Sequence, residues 1–516
     1  MAIQTIIKKN TYFDSVSLMA ISTKANHIPG VRQVNISMGT EKNKEILRNV
    51  GLYTPRAEEA QRGDLMVVFQ VDEGYDPDQV GAEVLESLSR KETQEDGPGT
   101  GYAYTSLEAA CGAGDANLAV ISVNGAYAGR VARKALERDL NVMLFSDNVS
   151  LDEEIALKRL AHEKGLLMMG PDCGTAIING KGLCFANRVR RGSIGIVAAS
   201  GTGAQEVSCR VHGFGGGISQ LIGTGGRDLS EAVGGRMMLD GLRALAEDEE
   251  TKVIILVSKT PHPSVVERIY AQVRETPKPV IIAFMGGDQA EIEACGAIYA
   301  ETTKRAALKA VILSGVPEET INKHALNLPL IAEVKAKLQP EQKYIRGLFC
   351  GGTICQEVYN LIRQKYPNVY SNIAHDPRYV LGPKDASREH TLFDLGDDAF
   401  TDGRPHPMID PSLRLDWIVR EARDPEVGVI ALDIILGCGS HPDPAGITLP
   451  AIRRAKELAR ARGQHLEILA FVLGTELDSQ NFDEQCAKLE AEGVTIASSI
   501  ENTGLLSRGF VEKEEV

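Results

Sequence analysis

Short apolar strands that end in glycine-rich turns, each followed by a helix, recur along most of this sequence. In residues 192–207 a run of apolar residues predicts a buried strand, Ser200-Gly-Thr-Gly203 forms the turn, and apolar residues from Ala204 onward recur at helical spacing. Parallel strands need long crossover connections, which are usually helices. The alternation of strands and helices therefore predicts an α/β protein built on doubly wound parallel sheets.

The pattern restarts twice along the chain and divides it into three predicted units. We expect a first Rossmann-like domain over residues 1–190, a second α/β domain over 191–327 and a third over 344–516. Residues 328–343 are predicted to be a linker with a short helix. A length of 516 residues agrees with about three domains of roughly 150 residues. Ligand sites are expected at the carboxyl ends of the strands, where open α/β sheets bind them.

Composition narrows the classes of function. The formal net charge of −14 argues against binding to nucleic acid or to an anionic membrane surface. No stretch approaches the length and hydrophobicity of a membrane span, and no signal peptide is evident at the N-terminus. The nine scattered cysteines form no metal-binding motif and are typical of free thiols in a reducing cytosol. We therefore expect a cytoplasmic protein without a bound metal.

The turn after the strand at 192–198 is a candidate anion site. Ser200, Gly201, Thr202 and Gly203 have small side chains, so a ligand can approach their backbone N–H groups closely. The N-terminus of the following helix carries unpaired N–H groups and a partial positive charge, which together suit a phosphate or a carboxylate. The alternative is a purely structural turn in which Ser200 or Thr202 caps the helix.

Further candidates follow two later strands. Arg227 and Asp228 follow a second glycine turn and are expected to line the same cleft. Gly437, Gly439 and Ser440 form a third turn of small residues, and His441 directly after it could reach a bound phosphate. Capping or solvent exposure would explain His441 equally well.

The loop over residues 394–410 is dense in charge and proline. Arg404 and His406 each precede a proline, which limits where their side chains can project. An arginine held in this way can bind a carboxylate through two hydrogen bonds, and a histidine can transfer a proton near neutral pH. Asp397 and Asp398 could orient these groups, or they could cap helices. The alternative for the whole segment is a stiff surface loop with solvated charges.

Several strings of residues resemble a known enzyme family. DANLAVISVNGAYA, GPDCGTAIING and GSIGIVAASGTG resemble the α subunit of succinyl-CoA synthetase, with its CoA-binding Rossmann domain and flavodoxin-like second domain. FDLGDDAFTDGRPHPMID and the strands VGVIALDIILGCGS and EILAFVLGTELD resemble the flavodoxin-like C-terminal domain of the β subunit. Over its whole length the chain resembles the FdrA family. The resemblance implies a phosphate site between two helix N-termini, after Ser200–Gly203 and after Gly437–Ser440.

The sequence also departs from the synthetase. The region 284–298, where the synthetase carries its phosphorylated histidine, has no histidine here. The carboxylate that would support it is missing near Val257-Ser258-Lys259. Neither an ATP-grasp domain nor a P-loop is evident in this chain, and the CoA-binding glycine turn of the first domain is not recognisable. An ATP-driven phosphohistidine mechanism is therefore not expected from this chain alone.

The FdrA resemblance implies a subunit of a multi-protein carbamoyltransferase that acts with two companion proteins in anaerobic allantoin breakdown. The reaction would interconvert oxalurate plus phosphate and oxamate plus carbamoyl phosphate. Phosphate and carbamoyl phosphate would then be substrates, binding of CoA stays open, and an oligomer is expected. One alternative is an NDP-forming acyl-CoA synthetase. Another is a non-catalytic, CoA-binding scaffold whose companions perform all the chemistry.

Overall fold

A computed structural model describes residues 2–11, 18, 21, 22, 25, 26, 28–49, 51–72, 74–89, 104–401 and 405–512. Within these residues the strands form four sheets. In chain order the strands are β1 Ala2–Lys8, β2 Val31–Met38, β3 Leu65–Val71, β4 Leu118–Ile121, β5 Asn141–Leu144, β6 Met168–Met169, β7 Thr175–Ile178, β8 Lys181–Cys184, β9 Arg191–Ala198, β10 Ile218–Gly223, β11 Val253–Ser258, β12 Val280–Phe284, β13 Ile298–Tyr299, β14 Tyr344–Phe349, β15 Val369–Ser371, β16 His390–Asp394, β17 Val427–Ile435, β18 Glu467–Leu473 and β19 Thr495–Ala497.

Helices connect these strands, and three short 3-10 turns lie at Pro55–Glu59, Glu318–Thr320 and Pro377–Tyr379. The α-helices are α1 Glu41–Asn49, α2 Pro77–Ser89, α3 Leu107–Gly112, α4 Gly125–Glu137, α5 Leu151–Lys164, α6 Gly201–Gly213, α7 Arg236–Glu247, α8 Pro263–Glu275, α9 Gln289–Ala294, α10 Thr303–Leu313, α11 Leu328–Lys337, α12 Gly352–Arg363, α13 Asp398–Thr401, α14 Ser412–Glu421, α15 Pro444–Arg460, α16 Phe482–Ala491 and α17 Ile500–Val511. In the described residues, no helix is long and apolar enough to span a membrane.

The N-terminal strands differ from the prediction. β1, β3 and β2 form a separate three-stranded sheet in which both outer strands run antiparallel to β3. Separate apolar clusters cover its two faces. Strands that alternate with helices give the same sequence pattern whichever way they pair, because periodicity carries no information on strand direction. Residues 1–190 therefore contain more than the single Rossmann-like sheet that was predicted.

The predicted α/β class is confirmed by three further sheets. β4, β5 and β6 are parallel. The second sheet has the order β13-β12-β11-β9-β10-β7-β8, and the third has the order β15-β16-β14-β17-β18-β19, with every pair of the third parallel. The hairpin β7–β8 pairs antiparallel with β10, so residues before the predicted boundary at 190 complete the second sheet.

The second and third parallel sheets are held together through buried polar contacts. The Asn187 Nδ2 group donates to the Asp478 carboxylate at 2.8 Å, and Glu501 forms ion pairs with Lys304 and Arg305 at 3.2 and 2.8 Å. Helix α11, in the predicted linker, buries Val334 in the core of the third unit. These contacts fix the carboxyl ends of the two sheets opposite one another.

Candidate functional site

A large cleft lies where the carboxyl ends of the three parallel sheets meet. Its volume is about 1520 Å³. Turns that follow β4 and β5 form one wall, turns that follow β9 and β11 form the base, and the start of α12 together with the turn after β16 forms the opposite wall. This is the edge at which open α/β sheets bind ligands.

Two helix N-termini abut in the base of this cleft. Ser200 caps α6 by accepting a hydrogen bond from the Gly203 N–H at 3.1 Å, and its hydroxyl also hydrogen-bonds the Thr353 hydroxyl at the start of α12. A Cβ atom on Gly351 would lie only 2.9 Å from the Thr202 methyl group. Within the described part of the chain, no acceptor binds the backbone N–H groups of Gly201, Thr202, Gly352 or Thr353. The positive ends of both helix dipoles, those of α6 and α12, therefore face the same region at the base of the cleft.

One lysine adds a full positive charge beside these helix ends. Lys259 directly follows β11, and its Nζ lies 3.2 Å from the position that a Cβ of Gly352 would occupy. Among the described residues no hydrogen bond or ion pair engages this ammonium group. Helix N–H groups and an available lysine are the usual components of a phosphate site.

A buried carboxylate faces the same point. Asp394 ends β16 and is 6% exposed, and its Oδ2 lies 2.5 Å from the same Cβ position of Gly352. Burial raises the pKa of Asp394 to about 7, although Lys259 opposes the shift. This side chain can therefore gain or lose a proton near neutral pH.

A second carboxyl with a shifted pKa lies on the wall formed by the first unit. Desolvation by the walls of the cleft and the negative charges of Asp147 and Asp398 raise the pKa of Asp172, although its side chain is still exposed to solvent. Asp397 and Asp398 also line the cleft, as predicted from the sequence, and Asp397 accepts a hydrogen bond from the Ala399 N–H at the start of α13. The cleft thus contains several acidic groups apart from Asp394.

His406 lines the cleft but is not a proton carrier at neutral pH. Its Nδ1 accepts the Met408 N–H at 3.2 Å, which leaves the proton on Nε2. Burial lowers the pKa of His406 to about 4, so the ring is neutral. It can donate a hydrogen bond to a ligand, in place of the acid–base role expected from the sequence. Arg404, the other predicted catalytic residue of this loop, lies outside the described residues.

The predicted second half of the phosphate site lies elsewhere. Gly437 and Gly439 pack against Asn187 and Phe185, and none of Gly437, Gly439, Ser440 and His441 lines the cleft. The His441 side chain is buried, and its Nδ1 accepts the Asp443 N–H at 3.0 Å. The helix that faces α6 is α12, which follows Cys350-Gly-Gly-Thr353.

The predicted cleft residues after β10 serve the fold. Asp228 is fully buried, forms an ion pair with Lys158 at 2.8 Å and accepts the backbone N–H groups of Met237 and Met238 at the start of α7. Arg227 forms an ion pair with Glu154 at 2.9 Å and does not line the cleft. A glycine turn at the end of a strand predicts where the turn lies, but not the direction of the side chains that follow it. The expectation that Arg227 and Asp228 line the cleft was therefore wrong.

Four residues at the junction of α6 and α12 were not predicted as site residues, namely Lys259, Gly352, Thr353 and Asp394. Gly352 and Thr353 follow a buried strand and open a helix, which is the pattern that drew attention to Ser200–Gly203, so the signal was present. Lys259 also directly follows a strand. In the sequence analysis this position was mentioned only because the carboxylate that the synthetase carries there is missing. Thr175 is a further case: it is 2% exposed, its Oγ1 has no partner in the described residues, and that atom lies 3.6 Å from the Cβ position of Gly201.

Comparison with known proteins places the chain in a family. It is 55% identical over 515 residues to the uncharacterized protein YahF of Escherichia coli K12, and the match covers 100% of both chains. The chain belongs to the YahF family. Two family descriptions match parts of it: "AllF, heavy metal-associated domain" over residues 1–103, and "CoA-ligase" over residues 348–508.

More distant relatives of this YahF family member are CoA ligases. The chain is 28% identical over 183 residues to the α subunit 2 of the ADP-forming succinate–CoA ligase of Archaeoglobus fulgidus, a match that covers 34% of this chain and 62% of that subunit. Among solved structures, the dinucleotide-forming acetyl-CoA synthetase 1 of Candidatus Korarchaeum cryptofilum matches with a TM-score of 0.34 and 14% identity, over 76% of this chain and 82% of that one. The α/β class itself is shown by the parallel strands of the sheets.

The metal in the first family description can be tested against the residues. Heavy-metal sites use soft ligands, chiefly cysteine thiolates. Residues 1–103 contain no cysteine and one histidine, His27. In the part of the chain that the structure describes, no cluster of three or more His, Cys, Asp or Glu side chains could hold a metal ion. The residues of this domain therefore do not fit a heavy-metal site.

Proposed function

We propose that this chain is a subunit of a carbamoyltransferase, which binds phosphate and carbamoyl phosphate between α6 and α12. The observation that supports the proposal is the meeting of two helix N-termini with unengaged N–H groups beside Lys259. A dianion at this point would be bound by two helix dipoles and one ammonium group. The same groups would stabilise the negative charge that develops on phosphate as it leaves the carbamoyl carbon.

The rest of the cleft suits a small nitrogen-containing substrate better than a nucleotide. Its described lining residues include one lysine and six carboxylates, namely Asp147, Asp172, Glu231, Asp394, Asp397 and Asp398. A single phosphate can lie beside Lys259, whereas the several phosphates of CoA or ATP would extend into this acidic surface. Carboxyl groups instead accept hydrogen bonds from amide and ureide N–H groups, such as those of oxamate and oxalurate.

The second candidate is an acid–CoA ligase. It is favoured by the match of residues 348–508 to the CoA-ligase family and by the succinate–CoA ligase relatives. Such an enzyme would need a phosphorylated histidine or a direct acyl-phosphate step in this cleft. The turn after β12, Met285-Gly-Gly-Asp288, lines the cleft with Met285 and Gly286 and supplies no histidine.

The two functions can be separated by their cosubstrates. The chain, purified together with the companion subunits that bind it, is incubated with oxamate and carbamoyl phosphate in the absence of nucleotide and CoA. Oxalurate, measured by liquid chromatography, is the expected product. Product that forms only with ATP and CoA would replace this proposal with the ligase. If no product forms either without nucleotide and CoA or with ATP and CoA, the chain would instead be a non-catalytic scaffold. The variant Lys259→Met is expected to lower oxalurate formation, whereas Lys252→Met, at the opposite end of β11, is the matched control.

A further inference from the structure

The carboxyl of Asp394 is held rigidly and has one free oxygen. The Asp394 backbone is fixed on both sides by the Asn372 side chain, which accepts the Asp394 N–H and donates to the Asp394 carbonyl, each at 3.0 Å. Oδ1 accepts the Gly396 N–H at 3.0 Å. Oδ2 has no donor among the described residues, although the residue is only 6% exposed. A carboxylate oxygen without a donor in the wall of a cleft can form a hydrogen bond with a bound ligand.

The free oxygen is aimed at the proposed phosphate site. Gly352, the first residue of α12, separates Asp394 from Lys259: a Cβ there would lie 2.5 Å from Oδ2 and 3.2 Å from Nζ. Only a glycine leaves room for both groups to reach the helix N-terminus. A carboxylate directly beside a bound dianion is repelled by it, so an anion at this point favours the protonated acid.

The charged and titratable groups that act on Asp394 come from several elements, and the His406 ring lies against Gly396 in the turn that follows it. Lys259 from the end of β11 opposes protonation, whereas Asp397 in the following turn and Asp433 from β17 favour it. Cys350 and Cys355 lie close by, but burial raises the pKa of each thiol well above its usual value, so both stay neutral. The Asp433 charge is compensated by an ion pair with Arg414 at 2.8 Å. Asp394 is therefore the group in this wall that can exchange a proton with a ligand at neutral pH.

We infer that Asp394 is the catalytic residue that carries the proton during carbamoyl transfer. This inference rests on the proposed function. The oxamate amide nitrogen attacks the carbamoyl carbon, and the carbon–oxygen bond to phosphate breaks as the protonated Asp394 gives its proton to the departing phosphate, which leaves as hydrogen phosphate. The Asp394 carboxylate formed in this way then takes the N–H proton from the nitrogen that has attacked, which restores the acid. In the reverse direction the protonated acid gives its proton to the oxamate nitrogen. No oxidant, reductant or metal is required.

Two other groups of the cleft are less suited to this role. The His406 Nδ1 is occupied by the Met408 N–H, and burial holds the ring neutral. Asp172 lies on the wall formed by the first unit, where its acidic neighbours are Asp147 and Asp398 instead of the helix ends that bind the phosphate. Asp394 alone among these three adjoins Lys259 and the start of α12.

Anion binding tests the inference without relying on turnover. Sulfate is the probe, since it stays a dianion across the neutral range, and its Kd is measured by titration calorimetry between pH 6 and 8.5. In the full chain we expect the Kd to rise up to about tenfold per pH unit above about pH 7, because sulfate binds with Asp394 protonated. Asp394→Asn should bind sulfate with little pH dependence, and it keeps the oxygen that accepts the Gly396 N–H.

The control is Glu357→Gln, which removes another buried carboxyl of raised pKa that does not line the cleft. It should follow the pH dependence of the parent chain. In the assembled complex, Asp394→Asn should lower kcat for oxalurate formation by about 10²- to 10⁴-fold. Sulfate binding whose pH dependence is the same in Asp394→Asn, or full turnover by that variant, overturns the inference alone. A parent chain that binds neither sulfate nor phosphate overturns the proposed function together with it.

Discussion

Two glycine-rich turns of this protein have almost the same sequence character but different surroundings. Ser200–Gly203 opens α6 directly, and its capping group is a neutral hydroxyl. Gly437–Ser440 precedes α15 by several residues, and that helix is capped by the Asp443 carboxylate, which accepts the Gly446 N–H at 3.1 Å. The first helix N-terminus therefore keeps its positive potential for a ligand, whereas the second is already neutralised by its own side chain.

The backbone N–H groups of the second turn are also engaged. Gly437 donates to Gln480, Cys438 donates to the Ala186 carbonyl at 3.1 Å and His441 donates to the Met408 carbonyl at 2.8 Å. In the first turn, Gly201 and Thr202 have no acceptor in the described residues. A strand–glycine–helix pattern thus indicates an anion site only where the N–H groups stay free and no carboxylate caps the helix.

The largest expected effect comes from adding a methyl group at the start of α12. In Gly352→Ala the new Cβ would meet the rigidly held Asp394 Oδ2, so it would displace that carboxyl or fill the place of the anion. We expect phosphate affinity to fall about 100-fold, which corresponds to overpacking of roughly 1–3 kcal/mol. Phosphate binding is measured by titration calorimetry.

The matched variant in the other turn is Gly439→Ala. The φ angle of Gly439 is 76°, so alanine is strained there and should cost about 1–2 kcal/mol of stability. Phosphate affinity should not change. Equal losses of affinity in the two variants would contradict the distinction between the turns.

The next effect concerns the charge beside α6 and α12. Lys259→Met removes the ammonium group and keeps much of the side-chain volume, so phosphate affinity should fall about tenfold, or about 1.4 kcal/mol. Lys252→Met, at the other end of the same strand, should bind phosphate as the parent chain does. A phosphate affinity in Lys259→Met that equals the control would remove Lys259 from the site.

A smaller effect tests how α12 is held against the second unit. The buried Glu357 carboxyl accepts hydrogen bonds from the Thr303 N–H and hydroxyl at 3.0 and 2.9 Å, and burial raises its pKa to about 8 from an ordinary 4.5. At pH values between about 4.5 and 8, the Glu357 carboxyl is ionised in the unfolded chain and neutral in the folded chain. The free energy of unfolding therefore falls as the pH rises, by up to about 1 kcal/mol per pH unit.

Glu357→Gln lacks this ionisation. The melting temperature of Glu357→Gln should therefore rise relative to that of the parent chain as the pH is raised from about 5 to 8. Above pH 8 the difference between the two melting temperatures (the gap) should stay constant. Thermal melts monitored by circular dichroism measure the gap. A constant difference across this range would show that Glu357 is ionised in the folded protein.

The smallest effect is expected at Ser440. Its hydroxyl is buried and has no partner among the described residues. Ser440→Ala should leave phosphate binding unchanged and raise the free energy of unfolding by at most about 1 kcal/mol, since an unsatisfied polar group is removed. Loss of phosphate affinity in Ser440→Ala would show that the turn Gly437–Ser440 is part of the phosphate site after all.

The sequence predicted the parts of this structure that depend on local pattern. Buried strands such as 194–198 and the caps and glycine turns that follow them were recognisable, and the α/β class is confirmed. The anion site at Ser200–Gly203 stays a prediction. The antiparallel pairing of β1, β2 and β3 was not, because strand direction depends on distant partners.

The second half of the site was misassigned for a similar reason. The sequence shows glycine turns at both 351–353 and 437–440, but only the packing of α12 against α6 decides which turn faces Ser200. The raised pKa of Asp394 also depends on burial by distant elements, which no local pattern shows.

A crystal structure of the protein with phosphate would show where the anion binds. We expect it at the junction of α6 and α12, within about 2.7–3.2 Å of backbone N–H groups from both helices and of the Lys259 ammonium group. An anion bound instead at Gly437–Ser440, or an empty α6–α12 junction at saturating phosphate, would contradict this expectation.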